Sequence, residues 1–160
     1  MTYEALQEMG LEERVPEIAE VMGLMARAER DLATARLLQD KDEEWSYAAA
    51  YQAMARSGRA LIMSEGYRPK GPRSRDTHKT VVTAAGVILG EKFKSLINKF
   101  DRMRRKYQNF MVESVSVVSR YEAGQAIKDA EEFLGIVSSR LRDKYSQMSL
   151  LNDVPQLVSR

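Results

Sequence analysis

Apolar residues recur every three to four positions along most of the chain, and the gaps between these stripes divide it into helices. Ile18, Val21, Met22, Met25, Ala28, Leu32 and Ala35 form the first stripe, which predicts a helix from about Pro16 to Leu38. Pro16 suits a first helical turn, and Glu17 and Glu20 follow where the helix dipole favours anions. The segment QDKDEEW separates this helix from a second over 43–65. There Tyr47, Tyr51, Met54, Gly58, Leu61 and Ile62 make the stripe, and Gly66 is a natural stop. A third helix is predicted over 78–89, ending at Gly90. A fourth, over 92–112, places Phe93, Leu96, Ile97, Phe100, Met103, Tyr107, Phe110 and Met111 on one face. The run SVSVV breaks the pattern. Ser119-Arg-Tyr-Glu122 then has the form of a capping box and opens a fifth helix, buried through Ile127, Ala130, Leu134, Val137 and Leu141 as far as about Tyr145.

No stretch alternates strongly enough to compete as a sheet, since VSVVS is β-branched but too short to form one by itself. YRPKGPRSRDT (67–77) reads as the one clear loop, with two prolines, a glycine and four cations. The predicted fold is therefore all-α, an up-and-down bundle of four to five helices over residues 15–146. An acidic segment (1–14) precedes the bundle and a weakly periodic tail (147–160) follows it.

Composition narrows the chemistry more than the fold. At 160 residues and 44% apolar content the chain suits one domain with a genuine core. No apolar run approaches the ~18 residues that a membrane span needs. The opening MTYEALQEMGLEER is acidic and lacks the layout of a signal peptide, so a cytoplasmic protein is expected. With no cysteine and one histidine, thiolate sites are excluded and no metal or cofactor is expected.

Net charge is only +2, but it is unevenly spread. Residues 1–44 hold 5 Lys/Arg against 12 Asp/Glu, whereas residues 68–107 hold 12 against 3. Such asymmetry points to a polyanionic partner, or to an acidic segment meeting a basic one. The density peaks in RMRRKYQNFMVE (102–113), with four cations in five residues. At 3.6 residues per turn, Phe100, Met103, Tyr107 and Phe110 face inward, and Arg102, Arg105, Gln108, Asn109 and Val112 lie opposite, with Arg104 at the border. Arg105 with Asn109, and Arg104 with Gln108, are i, i+4 neighbours able to grip a phosphate, the guanidinium supplying a bidentate donor. Loop cations Arg68, Lys70, Arg73 and Arg75 would widen this into a groove for a nucleic-acid backbone. The competing reading is a solvated face whose cations balance the acidic first helix.

No Ser-His-Asp set or glycine-rich phosphate loop is present. The adjacent pairs Glu43/Glu44 and Glu131/Glu132 point ~100° apart on a helix and read as solvated surface. His78, which opens the third predicted helix, is the sole side chain whose ordinary pKa lies near neutrality. It is the acid/base candidate; the plainer alternative is a cap or surface residue. Trp45 reads as a core anchor and Tyr107 as a buried member of its stripe.

The order of ERDLATARLL, SYAAAYQAMARSGRALIMSEGYRPK, THKTVV, FDRMRRKYQNFMVE and VSRYEAGQAIKDAEEFLGIV, over roughly 25–140, resembles the HEPN domain family, named for its occurrence in higher eukaryotes and prokaryotes. The resemblance implies a helical bundle, often a homodimer, and for many members a metal-independent RNase. Its site pairs an Arg, commonly followed by a polar residue, with a His four to six residues on. Small prokaryotic members are often toxins neutralised by a minimal nucleotidyltransferase encoded beside them. In this chain Tyr107 falls where the family commonly has Arg, Gln108 at the polar position, and Val112 where His or Tyr is usual. Positions 106–112 contain no histidine. The expectation is a protein that binds RNA or nucleotide phosphates through Arg102, Arg105, Gln108, Asn109, Arg73 and Arg75. Arg104, Arg105 and His78 are its candidate catalytic residues, for weak or absent cleavage. The alternative is a non-catalytic module that binds a second copy of itself or a nucleotidyltransferase.

Overall fold

A computed structural model describes residues 3–71, 75–112 and 118–152. The elements in order are α1 (Tyr3–Glu8), β1 (Leu11–Glu13), α2 (Ile18–Leu38), α3 (Glu43–Ser64), β2 (Tyr67–Pro69), α4 (Arg75–Leu89), a 3-10 turn (Glu91–Phe93), α5 (Lys94–Phe110) and α6 (Arg120–Asn152). The fold is all-α, as the periodicity predicts, with a two-stranded ribbon attached.

Helix α3 is the centre. Fifteen of its 22 residues are buried, so it is enclosed on more than one face rather than along a single stripe. Ala48, Ala50, Ala53, Ala55 and Ala60 make this possible, because side chains of one carbon let neighbouring helices come close. It packs against α2, α4, α5 and α6. Tyr51, Met54, Leu61 and Ile62 from α3 meet Phe100 from α5 and Phe133 from α6, all fully buried. Burial of each such side chain is worth about 1.5–3 kcal/mol.

Local signals set most helix ends. Asp42 Oδ1 accepts from the Trp45 N–H at 3.1 Å and caps α3. The chain leaves α3 through Gly66 at φ +91°, whose N–H donates to the Met63 carbonyl at 3.0 Å. At α6 the capping box forms as read: the Glu122 N–H donates to Ser119 Oγ and the Ser119 N–H to Glu122 Oε1, both at 3.1 Å.

Several features depart from the sequence reading. Tyr67–Pro69, read as loop, pairs antiparallel with Leu11–Glu13 and places Leu11 fully in the core. Helix α4 starts three residues before His78, and α6 runs on to Asn152. Trp45 is 51% exposed rather than a core anchor, because in the first turn of α3 it lies off the face on which Ser46 and Tyr47 are buried. Met22 and Met111, assigned to apolar stripes, are also exposed. Residues 114–117 of the predicted interruption SVSVV (114–118) and the end of the tail at 153–160 lie outside the described residues.

Candidate RNA-contact helix and aromatic cluster

Helix α5 carries the dense cations, and its faces have different environments. Leu96, Phe100, Met103 and Phe110 are buried, and Tyr107 packs partly buried against the same core. On one flank Arg104 is drawn inward, its side chain only 12% exposed. Its Nε donates to Asp101 Oδ1 at 2.9 Å and its Nη1 to Gln108 Oε1 at 3.0 Å. On the opposite flank Lys99 pairs with Asp129 at 3.7 Å and Lys106 pairs with Glu122, both on α6. The Lys106 hydrogen bond holds the Glu122 carboxyl below its usual range, whereas burial pushes that of Asp129 up. The outer face bears Lys94, Asn98, Arg102, Arg105 and Asn109, all exposed.

The inward flank adjoins a cluster assembled from three helices. Tyr51 on α3 is fully buried, and its hydroxyl lies 2.7 Å from His78 Nδ1 on α4. The Tyr51 ring stacks on Tyr107 of α5 at 4.7 Å between centroids and on His78 at 5.7 Å. Gln52 Nε2 donates to the Tyr107 hydroxyl at 2.9 Å. Burial raises the Tyr51 pKa far above neutrality, so its phenol stays protonated beside the imidazole. Gln108 Nε2 is buried with no hydrogen-bond partner among the described residues. Its orientation is fixed by the bond that Arg104 gives to Oε1.

The predicted site residues thus fall into two groups. Arg104, Gln108 and His78 lie around the Tyr51–Tyr107 stack, with Arg104 close enough to act electrostatically on Tyr51. Arg102, Arg105 and Asn109 lie on the outer face, where Arg105 is 63% exposed and pairs with Asp101 at 3.3 Å. Arg102 also borders a groove between α5 and α6 that contains Tyr47 and Tyr121. Arg75 opens α4, and Arg73 lies outside the described residues. Val112, at the position where the family motif has His or Tyr, is 71% exposed. Sequence reasoning missed Tyr51 and Gln52, which join the cluster across 27 and 55 residues of chain without any local signal.

Among the described residues one ion pair joins segment 1–44 to segment 68–107, between Glu12 and Arg68. Acidic side chains of α2 pair elsewhere: Asp31 with Arg56 and Glu20 with Arg14.

An all-α bundle built around a buried helix, with a cationic helix beside a His–Tyr cluster, is the class that fold and site define. The family model for the HEPN domain matches residues 21–141, and the chain belongs to that family. Membership indicates a nucleotide- or RNA-related role in general terms. No match emerges from the curated proteins or from the solved structures.

Proposed function

We propose that this protein binds RNA or nucleotide phosphates along the outer face of α5, and that any metal-independent cleavage it performs is slow. The carrying observation is the exposed row Lys94, Asn98, Arg102, Arg105 and Asn109, which extends about 22 Å at 1.5 Å per residue. Exposed guanidinium and amide groups in such a row follow a phosphate backbone without reading its sequence. Slow cleavage follows from the inner cluster. Arg104 is tied to Asp101 and Gln108, which limits its freedom to stabilise a developing phosphorane charge. His78 is the one imidazole at hand, and its Nδ1 is engaged by Tyr51.

Titration of the full chain against end-labelled mixed-sequence RNA, with chelator present and at several salt concentrations, tests this. Affinity is expected to fall steeply with salt, and the double variant Arg102→Glu/Arg105→Glu to abolish binding. Any cleavage is expected to survive the chelator and to disappear in His78→Gln. A flat salt dependence, or RNA affinity unchanged in the double variant, sinks the proposal.

A second reading is favoured by one observation. Leu37, Trp45, Met111, Val112 and Tyr121 are all exposed apolar or aromatic side chains near the ends of α2, α3, α5 and α6 that meet at one end of the bundle. Tyr47 touches Phe110 there, and Arg120 pairs with Asp40 at 3.3 Å. Such a surface suits a protein partner, either a second copy in a homodimer or a nucleotidyltransferase antitoxin. On this reading the protein is a cytoplasmic interaction module and the arginine substitutions leave partner binding intact. Among the described residues no helix is long and apolar enough to cross a membrane.

A further inference from the structure

Helices α5 and α6 leave an open groove between them, and its residues differ in kind from the cationic row beside it. Tyr47, Arg102, Tyr121, Gln125 and Asp129 line a concavity of about 260 Å³. That is below the ~300–1,000 Å³ of pockets for drug-sized ligands and suits a single planar ring system. Tyr121 stands in the first turn of α6, 76% exposed and in contact with no other ring among the described residues. A ring so placed has a face free for stacking.

Tyr47 supplies a second observation. Only 5% of it is exposed, yet its hydroxyl has no hydrogen-bond partner among the described residues. The hydroxyl of an enclosed ring that finds no partner in the protein needs one from outside, water or a ligand. Tyr47 borders the groove, and Glu122, Arg102 and Asp129 lie near enough to act on it electrostatically. Burial, with help from Glu122, raises its pKa, so the phenol stays protonated and able to donate. The groove itself is close to neutral. Lys99 is matched by Asp129 at 3.7 Å, and Glu122 by Lys106 from α5. That leaves Arg102, exposed and without an ion pair or hydrogen bond among the described residues, which also belongs to the outer row of α5.

We infer that the groove holds one unpaired nucleobase of an RNA strand whose phosphates follow the α5 row, an assignment that rests on the RNA reading of that row. A near-neutral groove has little pull on a phosphate, whereas a base is uncharged and planar and carries donors and acceptors along its edge. Tyr121 offers a face for stacking, and the Tyr47 hydroxyl, the Gln125 amide and the Asp129 carboxylate offer donors and acceptors to the edge. Arg102 joins the two parts, because it borders the groove and stands in the phosphate row at once. A base within a duplex is already stacked and paired, so the occupant comes from a single strand.

Fluorescence-anisotropy titration of the full chain with a short single-stranded oligoribonucleotide, and with the same strand carrying abasic sites, tests it. Both probes have the same backbone charge, so the α5 row treats them alike. The intact strand is expected to bind about tenfold or more tighter than the abasic one. Tyr121 is exposed, so Tyr121→Ala leaves the fold intact; it is expected to bring the intact strand down to the abasic level without moving the abasic affinity. Tyr121→Trp is expected to keep the preference, and Trp45→Ala, an exposed aromatic outside the groove, to leave it unchanged. Tyr47→Phe retains the buried ring and is expected to lower the preference several-fold. Equal affinity for the two strands, or a preference that survives Tyr121→Ala, overturns the inference while leaving phosphate binding along α5 in place. No binding of either strand overturns both. A change in sedimentation of Tyr121→Ala with its RNA affinities unaltered gives the groove to a protein partner and likewise overturns the inference.

Discussion

Gly58→Ala is expected to destabilise the protein, although alanine is the better helix former. Gly58 lies inside α3 where α4 and α5 cross it. A Cβ there would meet Val81 Cγ1 at 2.9 Å and Phe100 Cε2 and Cζ at 3.6 and 3.7 Å. Ordinary carbon contacts begin near 3.5 Å, so the Val81 contact is short by roughly 0.6 Å. Val81 is 1% exposed and β-branched, with little rotamer freedom, and Phe100 is fully buried. Neither side chain can swing away, so α4 itself must shift. Overpacking costs about 1–3 kcal/mol, here about 2–3 kcal/mol because neither neighbour can give way, and the helix-propensity gain offsets about 1 kcal/mol of it. A net loss of about 1–2 kcal/mol corresponds to roughly 2–8 °C in Tm for a chain of this size. Urea unfolding gives the free energy directly, and Gly135→Ala is the matched control. Gly135 is exposed on α6 with nothing within 4 Å of its Cβ position, so its substitution is expected to stabilise by about 0.5–1 kcal/mol. Because α4 carries His78, the Gly58 variant should also lengthen the Tyr51–His78 contact, visible as a shifted imidazole resonance. A Gly58→Ala protein as stable as the wild type would refute the packing argument.

Ser119→Ala removes one half of the α6 capping box and is expected to cost about 1 kcal/mol by urea unfolding. Glu122 has its pKa lowered in the folded state, chiefly by the Lys106 hydrogen bond. Its contribution is therefore present above its unfolded value and lost as pH falls through the folded one. Urea midpoints measured from pH 6 down to pH 3 should accordingly fall less steeply in Glu122→Gln. Tyr107→Phe keeps the ring stacked on Tyr51 but removes the acceptor for Gln52 Nε2. A loss of about 1 kcal/mol is expected in the same assay, and no change would mean that water replaces the hydroxyl.

Helix existence and ends were legible because their causes are local. Apolar spacing located α2, α3, α5 and α6, Gly66 and Gly90 marked two stops, and Ser119-x-x-Glu122 located a start to the residue. What stayed hidden depends on contacts distant in sequence. Nothing within Leu11–Glu13 or Tyr67–Pro69 marks a strand, since each is three residues long and its partner lies more than fifty residues away. Arg104 and Arg105 are neighbours of equal propensity. Their different fates follow from 100° of helix rotation, which turns Arg104 toward Tyr51 of α3 and leaves Arg105 in solvent. The chemistry of His78 was likewise invisible until the fold set Tyr51 against its Nδ1.

The β1–β2 pairing also bears on the order in which the molecule is made. Leu11 cannot meet Pro69 until the 58 residues after it have been added, roughly 3–12 s at 5–20 residues per second. During that interval α2 and α3 can zip together as an antiparallel pair joined by a short turn, while β1 waits unpaired. The N-terminal strand is thus the first ordered stretch synthesised after α1, yet it docks only after α2 and α3 and before α4, α5 and α6 have been made. The ribbon therefore marks a halfway stage of folding: pulse-labelled chains should protect the backbone amides of β1 from hydrogen exchange once β2 has left the ribosome, while the helices from α4 onward are still to be added.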